Sequence, residues 1–187
     1  PSTATPPCVN DHTAVSGGSS SGAAASVAFG LAPMAFGSDT GGSVRIPAAW
    51  NDLVGLKTTS GRISLQGVVP LCARFDTVGP LCRSVEDAAL ALAALEGSNP
   101  VDLTNTTLEG RRFAICDTAA FDDIREEPLA GFNSAIDSLK RMGAIVDRIK
   151  IPQVQDALAL TGVLFAPEAY GTWKKQIEAN PDVMFEE

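Results

Sequence analysis

"SGGSSSGAAASVAFG" at residues 16–30 and "GSDTGGSVRIPAAW" at residues 37–50 decide how this chain is read. Both are clusters of glycine and serine that run into small residues. A flexible linker accounts for the first. It does not account for the second, where Asp39 and Arg45 bracket a Gly-Gly-Ser. Between the clusters, "GAAASVAFGLA" (22–32) has the alanines of a helix and small side chains on every face, so such a helix can lie very close to a sheet. "PMAFGS" (33–38) has the form of a short buried strand.

Outward from these stretches the chain alternates between strand and helix signals. Residues 1–16 are rich in Pro and Thr without periodicity and read as loop. "DLVGLKTT" and "GRISLQGVVPL" read as short strands broken by Gly and Pro. Residues 84–96 are the clearest helix: Ser84 is an N-cap with Asp87 three residues on, and Gly97 supplies a left-handed stop. Val85, Ala88, Ala89, Leu92 and Leu95 fall on one face of it. "RRFAICD" (111–117) is a strand, "EPLAGFNSAIDSLKRMG" a helix ended by Gly143, and "AIVDRIKI" (144–151) a second strand. Strand, helix and strand at this spacing predict a βαβ unit with parallel strands. The stretch from Pro152 to Pro181 is helical in tendency, with a break near Pro167. The class is α/β.

Composition excludes several functions. With 187 residues and 45% hydrophobic side chains the chain has enough apolar mass for a core. The net charge of −8 and the lack of a basic patch argue against binding nucleic acid. Cys8, Cys72, Cys82 and Cys116 match no metal-binding spacing and do not suggest a disulfide framework, which points to a reducing, cytoplasmic setting with no metal. No apolar run is long enough to span a membrane.

The glycine-rich loops narrow the chemistry. A Walker phosphate loop fails because Ala23 follows Gly22 where lysine is required. "GSSSG" (18–22) fits the nucleophile elbow of α/β-hydrolases, with Ser20 at its centre. That arrangement needs a histidine after the serine, whereas the single histidine, His12, precedes it. A serine hydrolase without a usable histidine needs another base, and Ser–Lys pairs are one solution.

Taken together, "GGSSSGAAASVAFGLAPMAFGSDTGGSVRIPAAWNDLVGLKTTSGRIS" and the later "VGPLCRSVEDAALALAALEG" resemble the amidase signature family, most strongly over residues 16–97. The resemblance implies a mixed, mostly parallel central sheet covered by helices on both faces. It also implies an amide hydrolase that uses no metal or organic cofactor. Ser43 then matches the nucleophile, and Ser19 the bridging serine after a cis peptide bond at Gly18. The backbone amides of Thr40, Gly41, Gly42 and Ser43 match the oxyanion hole, where absent side chains permit close approach. Ser20, Asp39 and Arg45 match groups that support the loops, and Ser21 is expected to cap the helix.

Two departures qualify the resemblance. The family's lysine lies well upstream of the bridging serine, yet no Lys or Arg precedes Arg45 here. The first lysine, Lys57, belongs to "GLKTT", a different family position in which Thr58 replaces the usual proline. The chain is therefore expected to be the central part of one longer amidase signature domain, incomplete at both ends. An inactive binding relative that lost the lysine is the other explanation. The reading implies a small-molecule amide substrate and allows a homodimer. Its rival is a glutamine-hydrolysing amidotransferase A-type subunit, but such subunits usually carry Gln where this chain has Ile46. Phe29, Trp50, Phe75, Phe165, Tyr170 and Trp173 either line a pocket or pack.

Overall fold

Residues 5–183 are described by a computed structural model, in which the chain forms two compact units. The first comprises Pro1–Asp102 together with Pro167–Glu187, and the second Leu103–Ala166. The expected loop over residues 1–16 begins outside the described residues; within them it has a single bridge, Pro7 to Val15.

In the first unit, helix α1 (Ser21–Ala28) leads into strand β1 (Met34–Asp39), helix α2 (Arg45–Trp50), strand β2 (Val54–Gly55), strand β3 (Thr77–Cys82) and helix α3 (Val85–Glu96). The three strands form one antiparallel sheet in the order β1-β3-β2, with Met34 opposite Cys82 and Asp39 opposite Thr77. Small residues make the core thin. Ala24 of α1, Val44, and Ala48 of α2 close on Leu81 of β3, while Ala88 and Ala91 of α3 close on Cys82. The alanine-rich sequence of α1 allows this approach.

α3 begins as its sequence predicts: the Ser84 side chain accepts the Asp87 N–H at 3.0 Å, and Gly97 closes the helix at φ +64°. Its buried seam differs from the expected one. It runs through Ala88, Ala91 and Ala93, while Val85 is exposed. The strands expected in 61–71 are absent. Positive φ at Gly61 and Gly67 bends this segment into turns, with Arg62 N–H donating to Thr59 and Val68 N–H to Leu65.

In the second unit, strand β4 (Arg112–Asp117), helix α4 (Glu126–Arg141) and strand β5 (Ile145–Lys150) form the predicted βαβ unit. β4 and β5 are parallel, with Arg112 opposite Ile145. Helix α5 (Gln153–Ala159) follows, and then helix α6 (Thr161–Ala179), which begins in this unit and from Pro167 on belongs to the first. The helix break falls at Leu160, and Pro167 sits inside α6. The class is mixed α/β, as expected. The mostly parallel central sheet is met only by β4 and β5, because every pairing in the three-stranded sheet is antiparallel. Among the described residues no helix is long and apolar enough to cross a membrane.

Candidate active site

The second Gly/Ser cluster is a tight turn built on the last residue of β1. Asp39 is fully buried there, and its carboxylate gathers the turn around itself. It accepts the N–H of Gly42 at 2.8 Å, of Val44 at 3.2 Å and of Arg45 at 3.3 Å. The Arg45 guanidinium closes a bidentate pair, Nε at 3.0 Å and Nη2 at 2.9 Å. Burial pushes the Asp39 carboxyl up, but the Arg45 side chain, the Val44 and Gly42 amides and the arginine charge together outweigh it. The group is held below the usual carboxylate range. A Ser-Asp-x-Gly-Gly-Ser segment folds this way because glycine tolerates the path. Gly42 has φ +130°, and its α-carbon is covered by Ile46 so closely that an added Cβ would lie 2.7 Å from Ile46 Cδ1.

Ser43 is half-buried at the end of this turn. Of the four amides expected to face an oxyanion, Gly42's is already donated to Asp39. Those of Thr40, Gly41 and Ser43 find no acceptor among the described residues. The space at the Gly41 α-carbon is open, with nothing within 4 Å of an added Cβ.

The first cluster lies directly against the second. Ser20 N–H donates to the Ser43 carbonyl at 3.1 Å, and Ser20 Oγ donates to the Ser38 carbonyl at 3.3 Å. The Ser20 hydroxyl packs on the α-carbon of Gly37, where any Cβ would collide with it. The peptide bond between Gly18 and Ser19 is cis, as the resemblance implies. Ser19 is exposed and Gly18 faces open space. Ser21 was expected to cap α1. Instead Ser20 occupies the N-cap position and Ser21 is the first helical residue; the Ser20 hydroxyl is taken by Ser38 and caps nothing.

Residues that the sequence did not single out hold these loops in place. Buried Asn51 donates to the carbonyls of Ser16 and Pro47, both at 2.8 Å, and accepts Val9 N–H at 3.0 Å. Gly17, at φ +77°, lets the chain pass over Pro47 of α2. Beyond β1, Thr77 Oγ1 donates to the Asp39 carbonyl at 2.7 Å and Thr40 Oγ1 donates to Asp76 at 2.5 Å. Asn51, Asp76 and Thr77 lie outside both glycine–serine clusters, so only spatial proximity reveals them. Lys57 donates to the Thr58 carbonyl beside it, and His12 is exposed next to the Phe29 ring.

Comparison with known proteins follows the same lines. A sequence profile of the amidase family, described as "Amidase", matches residues 2–185. The A-type subunit of glutamyl-tRNA(Gln) amidotransferase from Staphylococcus saprophyticus is 38% identical over 172 residues, which is 85% of this chain and 36% of that protein. The crystal structure of an amidase superposes with a TM-score of 0.86 at 30% identity, covering 96% of this chain and 40% of the other. The corresponding glutamyl-tRNA(Gln) amidotransferase protein of Thermotoga maritima superposes at 0.81 with 31% identity, covering 95% and 43%. The chain thus spans little more than a third of the length of the curated relative quoted. Matched over nearly its whole length by the family profile, and carrying both glycine–serine turns in contact, the chain belongs to the amidase signature family.

Proposed function

We propose that the full-length protein hydrolyses an amide bond through a serine acyl-enzyme, with Ser43 as nucleophile and Ser19 as proton relay. Ser43 Oγ adds to the amide carbonyl carbon, and the oxyanion that forms is taken by the free amides of Thr40, Gly41 and Ser43. The hydroxyl proton passes through Ser19 to a base and from there to the leaving nitrogen. The C–N bond breaks, ammonia or an amine departs, and water then cleaves the ester. The carrying observation is the Ser20 N–H to Ser43 carbonyl bond, which fixes the two turns against each other with three amides unengaged beside Ser43. Asp39 and Arg45 shape the turn from behind and take no part in the chemistry.

A serine cannot retain the proton at neutral pH, so the relay requires an acceptor at its far end. No lysine lies in residues 1–44, and Lys57 is engaged locally. This reading takes the base to be a lysine outside these 187 residues, as the resemblance implies. The single domain, the mostly parallel central sheet with helices on both faces, and a cytoplasmic setting belong to the same reading. A structure of the full-length protein tests the first two.

A glutamine-hydrolysing amidotransferase subunit, working with a partner protein, is the second reading. The names of the two amidotransferase relatives favour it. Ile46 favours the first: the residue is 41% exposed and its side chain rests on Gly42 in the turn, an apolar group where such subunits usually carry a glutamine side chain. Ammonia release by the full-length protein from small aliphatic, aryl and fatty amides, compared with glutamine, separates the two. The hydrolase reading expects turnover of a simple amide without any partner, abolished by Ser43→Ala. Release from glutamine alone, and only with a co-purifying partner, establishes the second reading. Undiminished turnover by Ser43→Ala overturns both.

A further inference from the structure

The β1–β3 ladder ends at the pair Asp39 and Thr77, yet the contact between the two strands continues one residue further through side chains. Thr77 Oγ1 reaches back to the Asp39 carbonyl at 2.7 Å, and Thr40 Oγ1 reaches forward to Asp76 Oδ1 at 2.5 Å. Asp76 is buried, with 4% of its surface exposed, and no lysine or arginine nitrogen lies within the 4 Å of an ion pair among the described residues. Its carboxylate is held by neutral donors alone: the Leu71 N–H at 2.9 Å, the Cys72 N–H at 3.1 Å to each oxygen, and the Thr40 hydroxyl. A buried carboxylate without a counter-charge is costly unless several hydrogen bonds converge on it. Here they converge from one loop and from one residue of the turn that carries Ser43.

We propose that Asp76 is a positioning residue for the oxyanion-binding turn. By accepting the Thr40 hydroxyl, it fixes the Thr40 side chain and, through it, the peptide planes that aim the Thr40 and Gly41 amides. The turn is then anchored on two carboxylates. Asp39 holds it from inside through Gly42, Val44 and Arg45, and Asp76 holds it from the loop at 71–76 through Thr40. The loop itself is tied down on its far side. Trp173 Nε1 donates to the Pro70 carbonyl at 2.7 Å, and Arg74 pairs with Glu168 at 3.4 Å. Asp76 thus transmits a rigid frame to amides that would otherwise be free to rotate away from a developing charge.

This proposal rests on the reading of Ser43 as nucleophile, and two measurements on the full-length protein keep the two apart. The first is hydrogen–deuterium exchange over peptides containing residues 37–46, in the wild type, Thr40→Val and Asp76→Asn. Exchange of the hydrogen-bonded turn amides, those of Gly42, Val44 and Arg45, is expected to rise about tenfold in both variants. The second is steady-state amide hydrolysis. A misaimed oxyanion donor costs transition-state binding and spares the ground state, so kcat falls by about 10–100-fold with KM within about threefold. Thr40→Ser, which keeps the hydroxyl, regains most of what Thr40→Val loses, and the Thr40→Val/Asp76→Asn double variant is no slower than the worse single one. Unchanged exchange in Asp76→Asn, additive losses in the double variant, or a raised KM with kcat intact overturns the proposal. Full activity of Ser43→Ala overturns the nucleophile reading instead, and exchange still decides whether Asp76 holds the turn.

Discussion

At the scale of the residue, Asp39 is the group on which the site turn depends, and its environment gives it a pH signature. Arg45 and the turn amides keep its carboxyl below the ordinary range against the opposing effect of burial. A carboxyl lowered in the folded state stabilises that state fully above its unfolded value, near about pH 4, and the contribution is lost as pH falls through the lower folded value. Asp39→Asn should therefore flatten the acid limb of a plot of melting temperature against pH. At pH 7 the loss should be on the order of 2 kcal/mol, moderated because the Arg45 side chain is half exposed. An amide nitrogen in place of one carboxylate oxygen would face N–H donors and lose their bonds. Thermal melts between about pH 3 and pH 7 check this; an unchanged acid limb in the variant contradicts it. The sequence disclosed Asp39 and Arg45 because they flank a glycine-rich motif. It did not disclose Asp76, Thr77 or Asn51, whose roles arise from contacts with residues far away in the chain.

At the scale of the element, legibility followed how local the determining interactions are. α3 was readable because both its ends are set within a few residues, by the Ser84 hydroxyl on Asp87 N–H and by the left-handed Gly97. The βαβ unit was readable because a helical crossover between two apolar runs admits one strand direction. β3 was not, since Gly79 and Pro80 look like punctuation. Gly79 is required because its α-carbon faces the Leu56 carbonyl too closely for any side chain, a fact that exists only after the strands meet. α2 escaped notice for a similar reason: six residues around Pro47 carry too little periodicity, though proline is tolerated in a first turn. Ser84→Ala tests the local account of α3. Loss of the cap should destabilise the fold by about 0.5–2 kcal/mol, seen as a lower urea midpoint at unchanged slope. An unaltered midpoint would show that packing on Cys82 alone sets the start of the helix.

At the scale of the whole molecule, the two glycine–serine turns are brought together by β1, α1 and α2 within the first unit, and the proposed mechanism takes its base from chain beyond these residues. Residues 1–187 expressed alone should consequently release no ammonia above background from amides that the full-length protein hydrolyses. Comparable turnover by the soluble shorter piece would refute the external lysine and make Lys57 or His12 the base to replace next. The central claim, that Ser43 is the nucleophile, is tested most directly by treating the full-length protein with a fluorophosphonate and mapping the modified peptide. The account predicts a single adduct on Ser43, absent in Ser43→Ala and formed at least about a hundredfold more slowly in Ser19→Ala; an adduct on Ser20, or none on active protein, would contradict it.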